Sequence, residues 1–469
     1  MNTIQVLQRL DRETSANVYL VGGFVRDFVR RERNDDLDTV VKGATIKSII
    51  GFLSKYGKTK LIELSKVEDS FGVQVLLFQA RGDSLIAQIK LPARGKKQIQ
   101  DPNNTLGQDS THRDFKMNAM YLPVNAKVNS EIIDHHSGQA DIARRRISAV
   151  GDPIDRMKEH PIRMMRAVSL AARTEFALSE SVLFAVRYCA PMLKKVHTDN
   201  IRRELNHVVL CKHPSKYLKL MHVLGLLEII LPELDACIGI EQERKHHRWD
   251  VFQHCIYTCD NLEPDLVLRL SGLLHDIGKP LTRHIVGGKG ITFHKHEMTG
   301  VKLAKKLLTR LGYDNKTKKE VTKWIRLHMY HYTRDYGDSA IRRFITKSGI
   351  VKGDLDDIGN FPLFKIRAAE RLGNGFKKIP VTLKQRDFEK RIVKVFHETT
   401  AFKVDDLAIT GREIIETFNL KESTLIGNIK RHLLKKILVN QDLNNRVDLI
   451  KLTAIYLKRA KGGAKNHKK

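Results

Sequence analysis

The sequence is poor in the features that a secreted scaffold or a membrane protein depends on. Its five cysteines (Cys189, Cys211, Cys237, Cys255 and Cys259) are odd in number and form no CxxC pair. That excludes a disulfide framework and a zinc knuckle, and predicts reduced thiols used for packing. Acidic residues are scarce: 53 Asp plus Glu stand against 83 Lys plus Arg, a formal charge of +30. Every apolar run is broken by charge before the roughly 20 residues that a membrane span requires. Residues 1–25 lack the basic, apolar and small-residue regions of a signal peptide. The expectation is a soluble cytoplasmic chain with no membrane partner. There is no internal repeat and no long low-complexity segment.

What is present is length, apolar content and positive charge. With 469 residues, 42% of them apolar, the chain can fill about three or four domain cores. A charge of +30 exceeds what solubility needs and predicts a polyanionic partner, nucleic acid ahead of a membrane surface. The last twelve residues, KRAKGGAKNHKK, hold six Lys or Arg and no acid, and read as a tail with non-specific phosphate affinity. Residues 17–150 mix short β-rich runs (VYLV at 18–21, LDTVV at 37–41, FGVQVLLF at 71–78) with glycines and helical stretches. From about residue 153 the apolar spacing becomes three and four, so the C-terminal two thirds are expected to be helical. Pro and Gly punctuation at 151–153, 231–234, 287–290 and 376–382 offers boundaries. The expected class is α+β, divided as 1–150, 151–235, 236–380 and 381–469.

Two constellations carry chemistry. In the first, VYLV runs directly into Gly22-Gly23 and then the helix-forming FVRDFVRR. A strand, a tight glycine turn and a helix N-terminus in that order can cradle a phosphate. Asp36-Leu37-Asp38 heads the next β-rich run, and strand residues two apart project from one face. Two adjacent carboxylates are favoured where divalent cations bridge them, as Mg²⁺ does in phosphoryl transfer. The alternative is an acidic surface turn.

In the second, His254 is followed by LLHDIGKP with His275-Asp276, then FHKHE with His294 and His296, then LHMYH with His328 and His331. Imidazole plus carboxylate suits a first-row divalent metal better than Ca²⁺.

These motifs, with HRDFKMNAMYLP (112–123), DHHSGQADIARRRISAVGDP (134–153), EHPIRMMRAVSLAARTEF (159–176) and DLAITGREIIETFNL (406–420) in order, resemble the class II tRNA nucleotidyltransferases and bacterial poly(A) polymerases. Both groups belong to the DNA polymerase β superfamily. The resemblance implies a polymerase β-like nucleotidyltransferase head, a helical neck, an HD-type helical domain and an RNA-binding helical tail. It implies that Asp36 and Asp38 bind catalytic Mg²⁺, that Gly22, Gly23 and Arg26 contact the incoming triphosphate, and that Asp27 orders that loop. Arg113 and Asp114 would reach the nucleotide's phosphates and ribose, supported by Asn118. Glu159, Arg163 and Arg166, at helical spacings of four and three, would share the face that reads the base.

Three departures from the family stand out. His160 occupies the place of an Asp, His112 that of an Arg, and residues 92–111 form a short loop without the usual charge pattern. His254, His275 and Asp276 are the expected ligands of a possible transition-metal ion at the HD site, with His296 and His328 less certain; Lys279 could meet a phosphate, and His294 and His331 read as surface residues. The implied activity is template-independent addition of CMP and AMP from CTP and ATP to the tRNA 3′ end. Poly(A), CC-only or A-only synthesis, and an HD metal phosphohydrolase acting on RNA or nucleotide phosphates, remain alternatives. The oligomeric state is not legible.

Overall fold

In the computed structural model the described residues are 1–64, 73–94, 99–126, 131–243, 247–287, 290–333 and 336–463. Half of the basic C-terminal segment singled out above, residues 464–469, therefore lies outside them, as do Phe71 and Gly72 of the third β-rich run.

Period-two runs in the first 150 residues assemble into one seven-stranded mixed sheet: β1 Asn17–Val21, β2 Leu37–Lys42, β3 Gly57–Leu64, β4 Val73–Ala80, β5 Ala87–Lys90, β6 Met120–Pro123 and β7 Ile133–Asp134. Their spatial order is β3-β4-β5-β2-β1-β6-β7. Strand β2 pairs antiparallel with β1 and parallel with β5, so the glycine turn after β1 and the carboxylates at the head of β2 come together at the centre of the sheet. Leu37, Thr39 and Val41 are buried on β2, and the alternation leaves Asp38 on the opposite face.

The neck begins with a helix over Pro153–Glu159, whose N-cap Asp152 accepts the N–H of Asp155. Sequence spacing had Glu159, Arg163 and Arg166 on one helix; the structure corrects this. The helix stops at His160, which is extended (φ −142°, ψ 91°), because the ring of Pro161 disfavours helical backbone at the residue before it. A new helix runs over Ile162–Thr174 and buries most of its surface, packing on the helix Thr198–Leu210.

Beyond the neck the regular elements of the described residues are helices and one hairpin, Arg283–Val286 paired with Gly290–Phe293. Gly287 thus follows the first strand of this hairpin and Gly290 opens the second. Buried apolar side chains form one large cluster from Val6 to Ile325, a second between Leu262 and Val395, and a third between Ala401 and Leu449. All five cysteines are buried and free. Among the described residues no helix is long and apolar enough to cross a membrane. The α+β expectation, a mixed-sheet head followed by a mainly helical remainder, is the observed architecture.

Candidate active site and metal centre

An open cavity of about 440 Å³ separates head from neck. The head lines it with Gly22, Gly23, Asp38, Lys90, Arg113, Asp114 and Asn118, the neck with His160, Arg163 and Arg166, and the following helix with Asn200 and Arg203. The turn is built as its glycines suggested. Gly22 has φ +71° and ψ −133°, a conformation that costs a side-chain-bearing residue about 1–3 kcal/mol. A Cβ there would stand 3.3 Å from Asp38 Oδ2. Gly22→Ala is therefore expected to lower stability by about 1–3 kcal/mol and to weaken nucleoside triphosphate binding by displacing Asp38. Calorimetry and equilibrium binding of ATP check both effects.

Asp27 is the anchor beneath the turn. It accepts from Arg26 Nε (2.8 Å) and Nη2 (2.6 Å), Arg30 Nη1 (3.1 Å) and Asn34 Nδ2 (2.6 Å). Burial pushes its pKa up, but Arg26, Asn34 and Arg30 outweigh burial and hold it below the usual carboxylate range. Asn34 in turn accepts the Asp36 N–H at 2.7 Å, so this network ties the turn to the carboxylate strand. Arg26 is buried, and its remaining nitrogen donates to Asn118 Oδ1 at 3.0 Å. Its guanidinium is thus engaged by protein acceptors at the edge of the cavity.

Asp38 makes no hydrogen bond to any described residue. Burial raises its pKa, Lys90 pulls it back and the charge of Asp36 raises it again. Asp36 is exposed and opens onto the adjoining groove with Arg33 and Gln88; Gln88 Nε2 approaches its Oδ1 at 3.4 Å. Asp36 precedes β2 and Asp38 lies within it; two carboxylates within electrostatic reach, one desolvated and without a side-chain partner among the described residues, fit a hard divalent cation.

Across the cavity the cations are held in pairs. Arg113 donates to Asp109 (2.8 Å), which also accepts the Tyr121 hydroxyl at 2.6 Å. Asp114 pairs with Arg166 at 2.6 Å, so the adjacent Arg113 and Asp114 diverge, and one of them ties head to neck. Arg163 donates to Glu159 Oε2 (3.1 Å) and to the His112 carbonyl (2.6 Å), so the Glu159–Arg163 pair spans the helix break. Asp109, Tyr121, Lys90, Asn200 and Arg203 escaped sequence reading. Tyr121 sits inside the quoted HRDFKMNAMYLP stretch without having been singled out, and period-two alternation on β5 is the signal that could have placed Lys90 with Asp38.

The five expected ligands of the second constellation converge. His254 comes from the helix Val251–Asp260, His275-Asp276 follow the helix Leu266–Leu274, His296 opens the helix His296–Arg310, and His328 follows Asn315–Leu327. Asp276 Oδ2 lies 3.1 Å from His275 Nε2 and 3.6 Å from His254 Nε2, and its Oδ1 lies 3.2 Å and 3.7 Å from the Nε2 atoms of His296 and His328. The Nδ1 atoms of His275, His296 and His328 lie 2.6–2.8 Å from the carbonyls of Gly272, Phe293 and Ile325. Those bonds put the proton on Nδ1 and leave Nε2 as a lone pair, yet the Nε2 atoms of His275 and His254 meet at 3.2 Å, and those of His296 and His328 at 3.3 Å.

Facing lone pairs around a buried carboxylate require a positive charge. Burial pushes His254 and His328 down to about 3, whereas at His275 the Asp276 carboxylate overcomes burial and raises the pKa. Nitrogen donors with one carboxylate suit a first-row transition metal. Lys279, expected to be open to a phosphate, instead pairs with Asp276 (2.6 Å) and donates to Gln242 (2.6 Å). His294 and His331 are exposed.

Three comparisons bear on this arrangement. Residues 18–148 match the family described as "Poly A polymerase head domain", residues 175–238 that described as "Probable RNA and SrmB- binding site of polymerase A", and residues 244–360 the "HD domain". The chain is 31% identical over 262 residues to an A-adding tRNA nucleotidyltransferase of Deinococcus radiodurans, a match spanning 53% of this chain and 58% of that protein. It is 28% identical over 345 residues to a multifunctional CCA protein of Cupriavidus metallidurans, spanning 70% and 79% respectively. In three dimensions it superposes on a Bacillus stearothermophilus CCA-adding enzyme in complex with CTP with a TM-score of 0.68, covering 98% of both chains at 18% identity; at that identity the likeness is one of fold.

Proposed function

We propose that the chain, whose residues 18–148, 175–238 and 244–360 match a poly(A) polymerase head, an RNA-binding region and an HD domain in that order, is a nucleotidyltransferase that adds CMP and AMP from CTP and ATP to the 3′ end of tRNA without a template. The observation that carries this reading is the placement of Asp38, partnerless, 3.3 Å from where a Gly22 Cβ would be, in a cavity that head and neck share.

In this reading the Gly22-Gly23 turn brings backbone N–H groups to the nucleotide's phosphates at the N-terminus of the helix Gly23–Arg30. Asp36 and Asp38 hold Mg²⁺, which when bound supplies a Lewis acid for the attacking 3′-hydroxyl and the leaving pyrophosphate. Arg113 and Asp114 lie where phosphate and ribose would be. The neck residues Glu159, His160, Arg163 and Arg166 border the base, so protein groups substitute for a template strand. Residues 1–150 form the head in this scheme, 151–235 the neck, 236–380 the HD part and 381–469 an RNA-gripping tail. Five free cysteines and a large excess of positive charge suit work on RNA in the reducing cytoplasm.

The test is incubation of the purified protein with tRNA lacking its 3′ end, with CTP, ATP or both, and resolution of product lengths. Three added residues with both nucleotides are expected. A long ladder with ATP alone indicates poly(A) synthesis, and arrest after two or one indicates a CC- or A-adding enzyme. The same assay with all four nucleotides reads the His160 substitution. His160 lines the cavity and, when neutral, offers a single acceptor where an Asp offers two oxygens; His160→Asp is therefore expected to raise discrimination against UTP and GTP several-fold in kcat/KM.

The buried cluster around Asp276 supports a second activity, a transition-metal phosphohydrolase within the HD part. His254, His275, Asp276, His296 and His328 are the donors that would hold the metal.

A further inference from the structure

The cations lining the cavity are not alike. Arg113, Arg163 and Arg166 each rest on a carboxylate, and Arg203 donates to Asn200 Oδ1 at 3.2 Å. Lys90 makes no hydrogen bond and no ion pair with any described residue. It closes β5, and in the parallel register Asp38 sits opposite Gln88 and Val40 opposite Lys90. Alternation then puts Lys90 on the face of Asp38, one step further along the sheet. The two line the same cavity, yet they do not close into an ion pair. A largely desolvated ammonium beside two guanidiniums, with no acceptor, is unfavourable unless an anion completes the site. Asp38 presents the complementary deficit, a desolvated carboxylate with no donor.

We propose that Lys90 binds the triphosphate of the incoming nucleotide beside the Gly22-Gly23 turn. This rests on the nucleotidyl-transfer reading above. The glycine turn on the same cavity favours the nucleotide over the RNA backbone: Gly22 approaches Asp38, so phosphates seated on the turn lie beside the face that Lys90 shares. A compact ammonium with rotatable donors suits a phosphate oxygen whose position changes as pyrophosphate departs, whereas the surrounding guanidiniums are already locked by their partners.

The test uses the full-length protein, with ATP and AMP as probes, and the variants Lys90→Met and Lys90→Arg. Removing a charge-assisted hydrogen bond should weaken ATP binding by about 10- to 100-fold in Lys90→Met and change AMP binding by less than about threefold. Affinity for tRNA should stay unchanged, and Lys90→Arg should recover most of the loss. Lys90→Met should fold and melt no lower than wild type, because it removes an unpartnered charge. Unchanged ATP affinity with a lowered Mg²⁺ requirement would overturn the proposal and make Lys90 a counter-charge to Asp38. Equal losses for ATP and AMP would place the contact on the α-phosphate or the nucleoside, and a loss confined to tRNA would place it on the RNA. Failure of the parent reading looks different: the wild type itself would neither bind ATP nor extend tRNA, and both proposals would then fall.

Discussion

Asp38→Asn is expected to reduce nucleotide addition by at least about a thousandfold while tRNA affinity changes by less than about threefold. A loss of that size corresponds to about 4 kcal/mol of transition-state stabilisation, the scale on which a metal Lewis acid acts. Asp38 is the carboxylate that lines the cavity, and an amide in its place cannot hold Mg²⁺ with a full negative charge. Asp36→Asn should have a comparable effect, since the charge of Asp36 acts on Asp38 two residues away. The fold should survive, because neither carboxylate carries a structural hydrogen-bond network: Asp38 has no partner among the described residues, and Asp36 has the long contact to Gln88 at 3.4 Å. Single-turnover extension and filter binding measure the two quantities. An Asp38→Asn protein that extends tRNA at the wild-type rate would remove the carboxylate pair from the mechanism.

The same carboxylate sets an acid limit. Because burial, with the charge of Asp36, holds the Asp38 pKa above its ordinary value, the ionised form is lost at a higher pH than for an exposed Asp. Activity should accordingly fall as pH drops through a point above the usual range for Asp.

The second large effect concerns the Asp276 centre. Replacing His275 and Asp276 together by Ala should reduce bound transition metal to less than about a tenth of the wild-type content, abolish any phosphomonoesterase or cyclic phosphodiesterase activity, and leave nucleotide addition within about twofold. The donors are buried in a helical cluster that shares no side chain with the cavity between head and neck, so the two activities should separate. Asp276→Ala alone should be the more damaging change to stability. Asp276 is the partner of Lys279 at 2.6 Å and the cause of the raised His275 pKa; removing it strands buried positive charge, which costs about 3–5 kcal/mol. Elemental analysis and calorimetry of the single and double variants decide the matter. Wild-type protein that binds no transition metal would argue against a functional centre.

The local outlines of both sites were legible in the sequence. A strand running into Gly22-Gly23 and a helix, and carboxylates two apart at the head of a strand, are set by backbone sterics and period-two alternation, which act over a few residues. The mixed head and the helical remainder follow from the same short-range periodicities. Pro161 also held a local signal: the rule against helix before proline predicts the break at His160, and an i, i+4 reading of Glu159, Arg163 and Arg166 passes over it.

Tertiary structure decided which groups meet. Arg113 meets Asp109 and Arg26 meets Asp27 within four residues of sequence, but that Asp114 crosses to Arg166, that Arg26 also reaches Asn118, and that Lys90 arrives beside Asp38 depend on packing that joins residues far apart in the chain. That four histidines from separate helices converge on Asp276, the two less certain ones included, depends on how helices pack across more than seventy residues of sequence. Periodicity identifies the face a residue occupies. The neighbour that face receives is chosen by burial and pairing summed over the whole fold, and no window of sequence contains that sum.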